Sequence, residues 1–267
     1  MGRFLLALLT AFAAASGAPQ DAAPGAVVAV GGGGTPDSVV VETLRIARSR
    51  TETPTVVVVP FASTREDRGV GSVEMWAEAG ANAILLTADA RADRRALEQA
   101  DVIWMSGGDQ DRLLDDLERL DLVETIQARH RSGAVVGGTS AGAAVLGTRS
   151  IAGRPDPGPY VVGGMEGRPG LGLVPDAIVD QHFRERTREG RLLTAVLDAG
   201  GVLGLGVSER TAAIIEGGEM RVMGEGVVVA FDARDAEIAD GEAGAARSAS
   251  GVVTAVHPAG SRRPLDE

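Results

Sequence analysis

Ser140 stands in Gly138-Thr139-Ser140-Ala141-Gly142, directly after the small apolar run Ala134 to Gly137. A strand turning sharply into a helix around a glycine-flanked serine is the setting of a nucleophile elbow, in which a strained backbone presents the hydroxyl to a carbonyl. The glycines have a physical task, because a side chain at Gly138 or Gly142 would collide inside so tight a turn. An ordinary tight turn with an incidental serine leaves the same pattern, so the motif needs a base and an oxyanion site before it means chemistry.

Hydroxyl attack at neutral pH calls for a general base, usually histidine. Three are available. His130 lies between arginines at the end of an expected helix, where a cation complements the dipole, and reads as a solvated cap. His257 falls in the terminal segment beside Pro258. His182, within Asp180-Gln181-His182-Phe183, follows a buried strand and so reaches the sheet edge where ligands bind; it is the candidate base. Glu209, just after Leu203 to Val207, is the best placed acid to orient the imidazole, with Asp156 as the alternative.

An oxyanion requires backbone N–H groups already aimed at it. The elbow would supply Ala141, and the Gly107-Gly108 pair after Val102 to Met105 would supply a second donor, although a plain turn uses the same glycines. Beyond His182, Arg184, Arg186, Arg188 and Arg191 alternate with Glu185 and Glu189. Such a run is either a solvated, salt-bridged helix start or a clamp for substrate carboxylates.

The elements that must carry these residues follow from apolar periodicity. Strands are expected at Ala26 to Val30, Thr55 to Pro60, Ala83 to Leu86, Val102 to Met105 and Ala134 to Gly137. Helices alternate with them at Asp37 to Arg48, around Val73 to Trp76, at Asp89 to Gln99 and, as one long helix, at Leu113 to Arg131. Nearly continuous apolar strands between amphipathic helices imply an α/β fold with a mostly parallel sheet flanked by helices, and ligands at the strands' carboxyl ends. A Gly/Pro-rich loop from Gly153 to Gly172 precedes a strand at Ala177 to Val179 and a helix at Leu192 to Ala199. Runs at Leu203 to Val207, Thr211 to Glu216, Met220 to Met223 and Val227 to Phe231, joined by short turns, suggest an antiparallel C-terminal extension. Val252 to Val256 reads as an edge strand.

In a chain of 267 residues this organisation reads as one domain over 26–260, preceded by a leader at 1–18 and a linker at 19–25, and followed by a frayed tail at 261–267. Arg3, the apolar stretch Phe4 to Ala15 and Ser16-Gly17-Ala18 have the layout of a secretory signal, too short to span a bilayer, which implies a secreted or periplasmic protein without a stable membrane anchor. The chain has no cysteine, which excludes disulfides, thiolate metal sites and a cysteine nucleophile. A net charge of −11 disfavours nucleic acid and anionic membranes as partners.

Together, Ser106-Gly107-Gly108-Asp109-Gln110, Gly138 to Ala143, Asp180 to Phe183, the arginines Arg186, Arg188 and Arg191, and Gly206 to Ala213 resemble the cyanophycinase family of serine peptidases, which is related to the aspartyl dipeptidases of the dipeptidase E type. The resemblance runs from about Ala26 to Phe231. It implies a fold like that of class I glutamine amidotransferases, flavodoxin-like in plan, with Ser140 as nucleophile, His182 as base, Glu209 as its partner, Gly108 and Ala141 at the oxyanion, and no metal or cofactor. It further implies a peptide or cyanophycin-like polymer as substrate, a polyaspartate bearing arginine on each side chain, cut to β-Asp-Arg. On that pattern Gln110, Asp180, Gln181, Arg186, Arg188 and Arg191 would line the substrate groove. An α-aspartyl dipeptidase and a non-catalytic peptide-binding module are the alternatives. Family members often form dimers, so a homodimer is compatible with this chain. It departs from the family's frequent acidic residues at Gly34 and Ser208.

Overall fold

The β-branched runs of the first half have no polar side chain to turn outward, and they form strands covered on both faces. The computed structural model describes residues 23–151, 160–165 and 167–265. The expected leader, linker residues 19–22 and Asp156 lie outside them. In chain order the first elements are β1 (Val27–Val30), α1 (Asp37–Ala47), β2 (Thr55–Val59), α2 (Val70–Glu78), β3 (Asn82–Leu85), α3 (Ala90–Glu98) and β4 (Val102–Met105). They continue with α4 (Gln110–Arg119), α5 (Val123–Arg131), β5 (Val135–Thr139) and α6 (Ala141–Ala144). Strands β1, β5, β4, β2 and β3 pair in that order, all parallel.

Alternation along the strands divides their side chains between two apolar layers. Val27, Ala29, Val57, Val59, Ile103 and Met105 face one layer with Leu97, Leu113, Leu117 and Ile126 from α3, α4 and α5. Val28, Val30, Val56, Val58 and Trp104 face the other with Val40, Leu44 and Trp76 from α1 and α2. Trp76 and Trp104 meet edge to face with ring centroids 5.2 Å apart, worth about 1 kcal/mol beyond the area buried.

The expected single helix from Leu113 to Arg131 is two. It starts earlier, because the Asp109 carboxylate caps it by accepting the Arg112 N–H at 3.0 Å. It breaks at Asp121, whose φ of 53° is left-handed; Arg94 holds that turn through the Asp121 carbonyl at 2.7 Å.

The second half is β6 (Gly147–Ile151), β7 (Gly167–Pro169), β8 (Val174–Asp180), α7 (Glu189–Asp198), β9 (Leu203–Val207), β10 (Thr211–Glu216), β11 (Glu219–Gly224), β12 (Val227–Asp232), β13 (Glu237–Ile238), β14 (Ala249–Ser250), β15 (Val253–Pro258) and β16 (Arg262–Pro264). Its strands do not extend a single sheet. β10, β11 and β16 join the first sheet antiparallel beside β1, giving eight strands. β15, β12, β9, β8, β6 and β7 form a second, six-stranded sheet. Residues 262–264, expected to fray, pair with β11 instead, and Arg262 bonds Glu219 across the pair at 3.1 Å.

The two sheets meet where the chain passes from one to the other. Val207 ends β9 in the second sheet and Thr211 opens β10 in the first, so residues 208–210 bridge the seam. Asp180 ends β8 in the second sheet, and two residues later the His182 N–H donates to the Gly31 carbonyl, just past β1, at 2.7 Å. Carboxyl ends of β1, β5, β8 and β9 thus converge on one place.

Candidate active site

Ser140 joins β5 to the single turn α6 with φ 54° and ψ −115°, a left-handed conformation that costs an L-residue about 1–3 kcal/mol. Close packing imposes it. The Ser140 N–H donates to the Val30 carbonyl at 2.9 Å, and the Ser140 carbonyl accepts from Ala143 and Ala144. A Cβ at Gly142 would lie 2.2 Å from the Met105 carbonyl oxygen, and one at Gly138 would lie 2.6 Å from the Gly142 carbonyl carbon. Ordinary side chains do not fit at either position.

Ser140 Oγ lies 2.9 Å from His182 Nε2, and His182 Nδ1 lies 2.5 Å from Glu209 Oε1. His182 is buried, and its backbone has a left-handed φ of 47°. Its neighbour Phe183 acts as an anchor: the ring is fully buried beside Phe231, and the Phe183 N–H donates to Val207 at 3.1 Å. Gly206 makes room for that ring, because a Cβ there would sit 2.5 Å from it.

The glycine run after β1 forms the floor under these groups. A Cβ on Gly32 would come within 2.3 Å of the His182 ring, and one on Gly33 within 2.6 Å of the Glu209 carboxylate. The Gly31 and Gly32 carbonyls accept the N–H groups of His182 and Arg210 at 2.7 and 2.8 Å. The motifs read from the sequence did not include Gly31 to Gly33. The available signal was position, since a glycine run at the carboxyl end of a central parallel strand is where backbone approaches a ligand or a working side chain.

Gly107 backs onto the serine, and a Cβ there would stand 3.3 Å from Ser140 Cβ. Gly108 has φ 148° and is pressed on the Ala62 carbonyl, where a Cβ would be 2.1 Å from the oxygen. Ala141 is the first residue of α6, so its N–H has no intrahelical partner. Two amide-bearing turns therefore flank the hydroxyl.

The expected groove residues are mostly turned inward. Asp180 is wholly buried and has its oxygens beside Arg188 Nη1 at 3.0 Å and Arg191 Nε at 3.2 Å. It also accepts the Gln181 N–H at 2.9 Å. Expected to line the substrate groove, Asp180 has its two oxygens facing arginines of its own chain. Gln110 is likewise buried, with Nε2 donating to the Ile151 carbonyl at 2.9 Å, which ties the start of α4 to β6. Gln181 is buried with Oε1 unpaired among the described residues.

Arg186 is exposed and has no side-chain partner among the described residues. With Tyr160, Arg188 and Arg191 it lines a depression of about 570 Å³. Burial, assisted by the charges of Arg191 and Arg186, draws the Arg188 guanidinium below its ordinary range despite the Asp180 carboxylate.

His130, expected to be a solvated cap, is buried. Among the described residues no group of three or more His, Asp or Glu side chains is spaced to hold a metal ion. No helix among them is long and apolar enough to cross a membrane.

Parallel strands converging on an elbow-borne serine bonded to an imidazole define the class: an α/β protein with a serine–histidine–carboxylate cluster at the strands' carboxyl ends. A model of peptidase family S51 matches residues 27–223, and the chain belongs to that family. It is 36% identical over 197 residues to a cyanophycinase of Trichormus variabilis, covering 66% of this chain and 63% of the relative. A cyanophycinase of Synechococcus elongatus is 38% identical over 201 residues, covering 67% and 58%. The match thus spans less than two thirds of these relatives' length. The crystal structure of a peptidase from an acI-B1 actinobacterium has the same fold, with a TM-score of 0.67 over 92% of this chain and 98% of that one at 20% identity.

Proposed function

We propose that the chain is a serine peptidase that hydrolyses cyanophycin or related β-aspartyl peptides through an acyl-enzyme on Ser140. One observation carries this reading: the unbroken relay from Ser140 Oγ through His182 to Glu209, at 2.9 and 2.5 Å. His182 Nε2 takes the hydroxyl proton as Oγ attacks the carbonyl carbon, and Glu209 holds the imidazole in the required orientation and balances its charge. Amides of Ala141 and Gly108 receive the oxyanion. The imidazolium then gives its proton to the leaving amine, and the same base activates water to release the acid.

The family membership and the relatives named cyanophycinase support the peptidase reading, and the guanidinium groups at the depression favour a substrate rich in carboxylates. Arg186 is the residue with a free charge for it, while Arg188 and Arg191 are braced by Asp180. An α-aspartyl dipeptidase would use the same chemistry, and the arginines after His182 argue for the polymer. The reading includes a topology of the class I glutamine amidotransferase type, export by the segment ending at Ala18, and an assembly open to homodimers.

Incubation with cyanophycin and analysis of the products tests it. Wild type is expected to release β-Asp-Arg and Ser140→Ala to release none. Equal release by both proteins removes Ser140 as nucleophile, and cleavage of Asp-Leu in place of cyanophycin selects the dipeptidase.

A further inference from the structure

Glu185 lies three residues beyond the imidazole, in the turn between β8 and α7. Its Oε2 accepts the backbone N–H of Glu209 at 3.0 Å. This bond ties the segment bearing the base to the segment bearing the acid, independently of the contact between their side chains. The turn that presents Glu185 is itself braced, with the Phe183 N–H donating to Val207 and the Arg186 N–H donating to the His182 carbonyl at 3.1 and 3.0 Å.

Glu209 occupies a short crossing between two sheets, where no ladder partner is available to its amide. On either side the backbone is fastened by other main-chain groups: Ser208 N–H to Val227 at 3.1 Å, and Arg210 N–H to Gly32 at 2.8 Å. Only the amide between them is held by a side chain. Rotation of that peptide would swing the Glu209 carboxylate, whose side chain is 35% exposed and so is not enclosed by packing. A displacement of a fraction of an ångström suffices to spoil a 2.5 Å contact.

We propose that Glu185 is a positioning residue: by accepting the Glu209 N–H, it fixes the carboxylate that orients His182. The proposal rests on the reading of Ser140, His182 and Glu209 as the catalytic set. Glu185 touches neither the hydroxyl nor a substrate in this role. The bond is charge-assisted, which suits an exposed acceptor competing with water. It also directs the second carboxylate to the amide of Glu209 and leaves Glu209 Oε1 to the imidazole.

Two measurements on wild type, Glu185→Ala and Glu185→Gln test it: hydrogen exchange of the Glu209 amide, and the rate at which a fluorophosphonate labels Ser140, located by mass. In Glu185→Ala the amide should exchange about tenfold faster and labelling should slow about five- to tenfold, with an unchanged thermal midpoint. Glu185→Gln retains an acceptor oxygen and should stay within about twofold of wild type in both. Wild-type exchange and labelling in Glu185→Ala, or a Gln variant as impaired as Ala, overturns the inference alone. Failure of the wild type to label at Ser140 overturns the catalytic reading and this inference with it.

Discussion

Gly32 touches the His182 ring so closely that a Cβ on Gly32 would lie 2.3 Å from Cε1 and 2.5 Å from Nε2. The nitrogen concerned is the one that faces Ser140 Oγ, so the loop after β1 determines where the base can sit. Gly32 also has φ 99°, which an L-residue resists. Gly32→Ala is expected to cut the rate of Ser140 labelling by about a hundredfold or more, because the ring must leave its place. A labelling rate close to wild type would mean that the loop yields and the imidazole does not depend on it.

Ser140 combines the hydroxyl with a strained backbone, and the two can be separated. Ser140→Ala and Ser140→Gly both remove the oxygen, but only glycine relieves φ 54°. Both variants are expected to lose turnover by about 10⁴-fold or more. Ser140→Gly should unfold at a higher temperature than Ser140→Ala, by about 1 kcal/mol in stability. Equal thermal midpoints would indicate that the elbow carries no strain of consequence.

His130 gives the fold a pH dependence unrelated to the site. Burial lowers its pKa below the ordinary 6.5, with the Arg131 charge acting the same way and a hydrogen bond to the Gly25 backbone opposing them. The helix-end position favours the cation, and burial outweighs it. A depressed folded pKa means that the unfolded chain takes up the proton first as pH falls. Stability is therefore fully present above 6.5 and declines below it, until the folded pKa is passed. Denaturant titrations between about pH 5 and 8 should show this slope in wild type and a weaker one in His130→Gln. The residual slope comes from His257, whose pKa is lowered by burial and Arg263, and near pH 5 from carboxylates such as Glu42, which Arg45 and Arg221 hold at about 2.

The central strands were legible because their whole sequence is apolar: Val27–Val30, Val56–Val59 and Val102–Met105 are buried at every position. Their alternation with helices then indicated where a serine, a histidine and a glutamate would emerge. What escaped reading depended on distant partners. β6, with Thr148, Arg149 and Ser150 among its residues, is too polar to declare itself, and its place is set by β8. The break between α4 and α5 was masked because Leu117, Leu120, Leu122 and Ile126 keep an apolar face across it. The assignment of β9 and β12 to a second sheet required knowing that the chain crosses at 208–210, which no local periodicity records. Asp180 shows the same limit for a site residue, since nothing in the sequence separates a carboxylate facing a ligand from one facing arginines eight and eleven positions on.

That difference can be measured. Asp180 is inaccessible to solvent, and Arg188 and Arg191 approach it from the helix start while their own side chains remain only 13% and 14% exposed. Removing its charge would leave two guanidinium groups buried without a counter-ion, a defect worth about 3–5 kcal/mol. Asp180→Asn is therefore expected to lose stability on that scale, whereas a carboxylate facing a groove would cost little on replacement. Arg186 gives the opposite case. It is exposed and unpaired among the described residues, so Arg186→Ala should leave the thermal midpoint within about 1 °C of wild type while raising KM for a carboxylate-rich substrate and sparing kcat. If Asp180→Asn folded as well as wild type and lost substrate affinity instead, the buried ion cluster would have to open in solution, and Asp180 would return to the substrate groove.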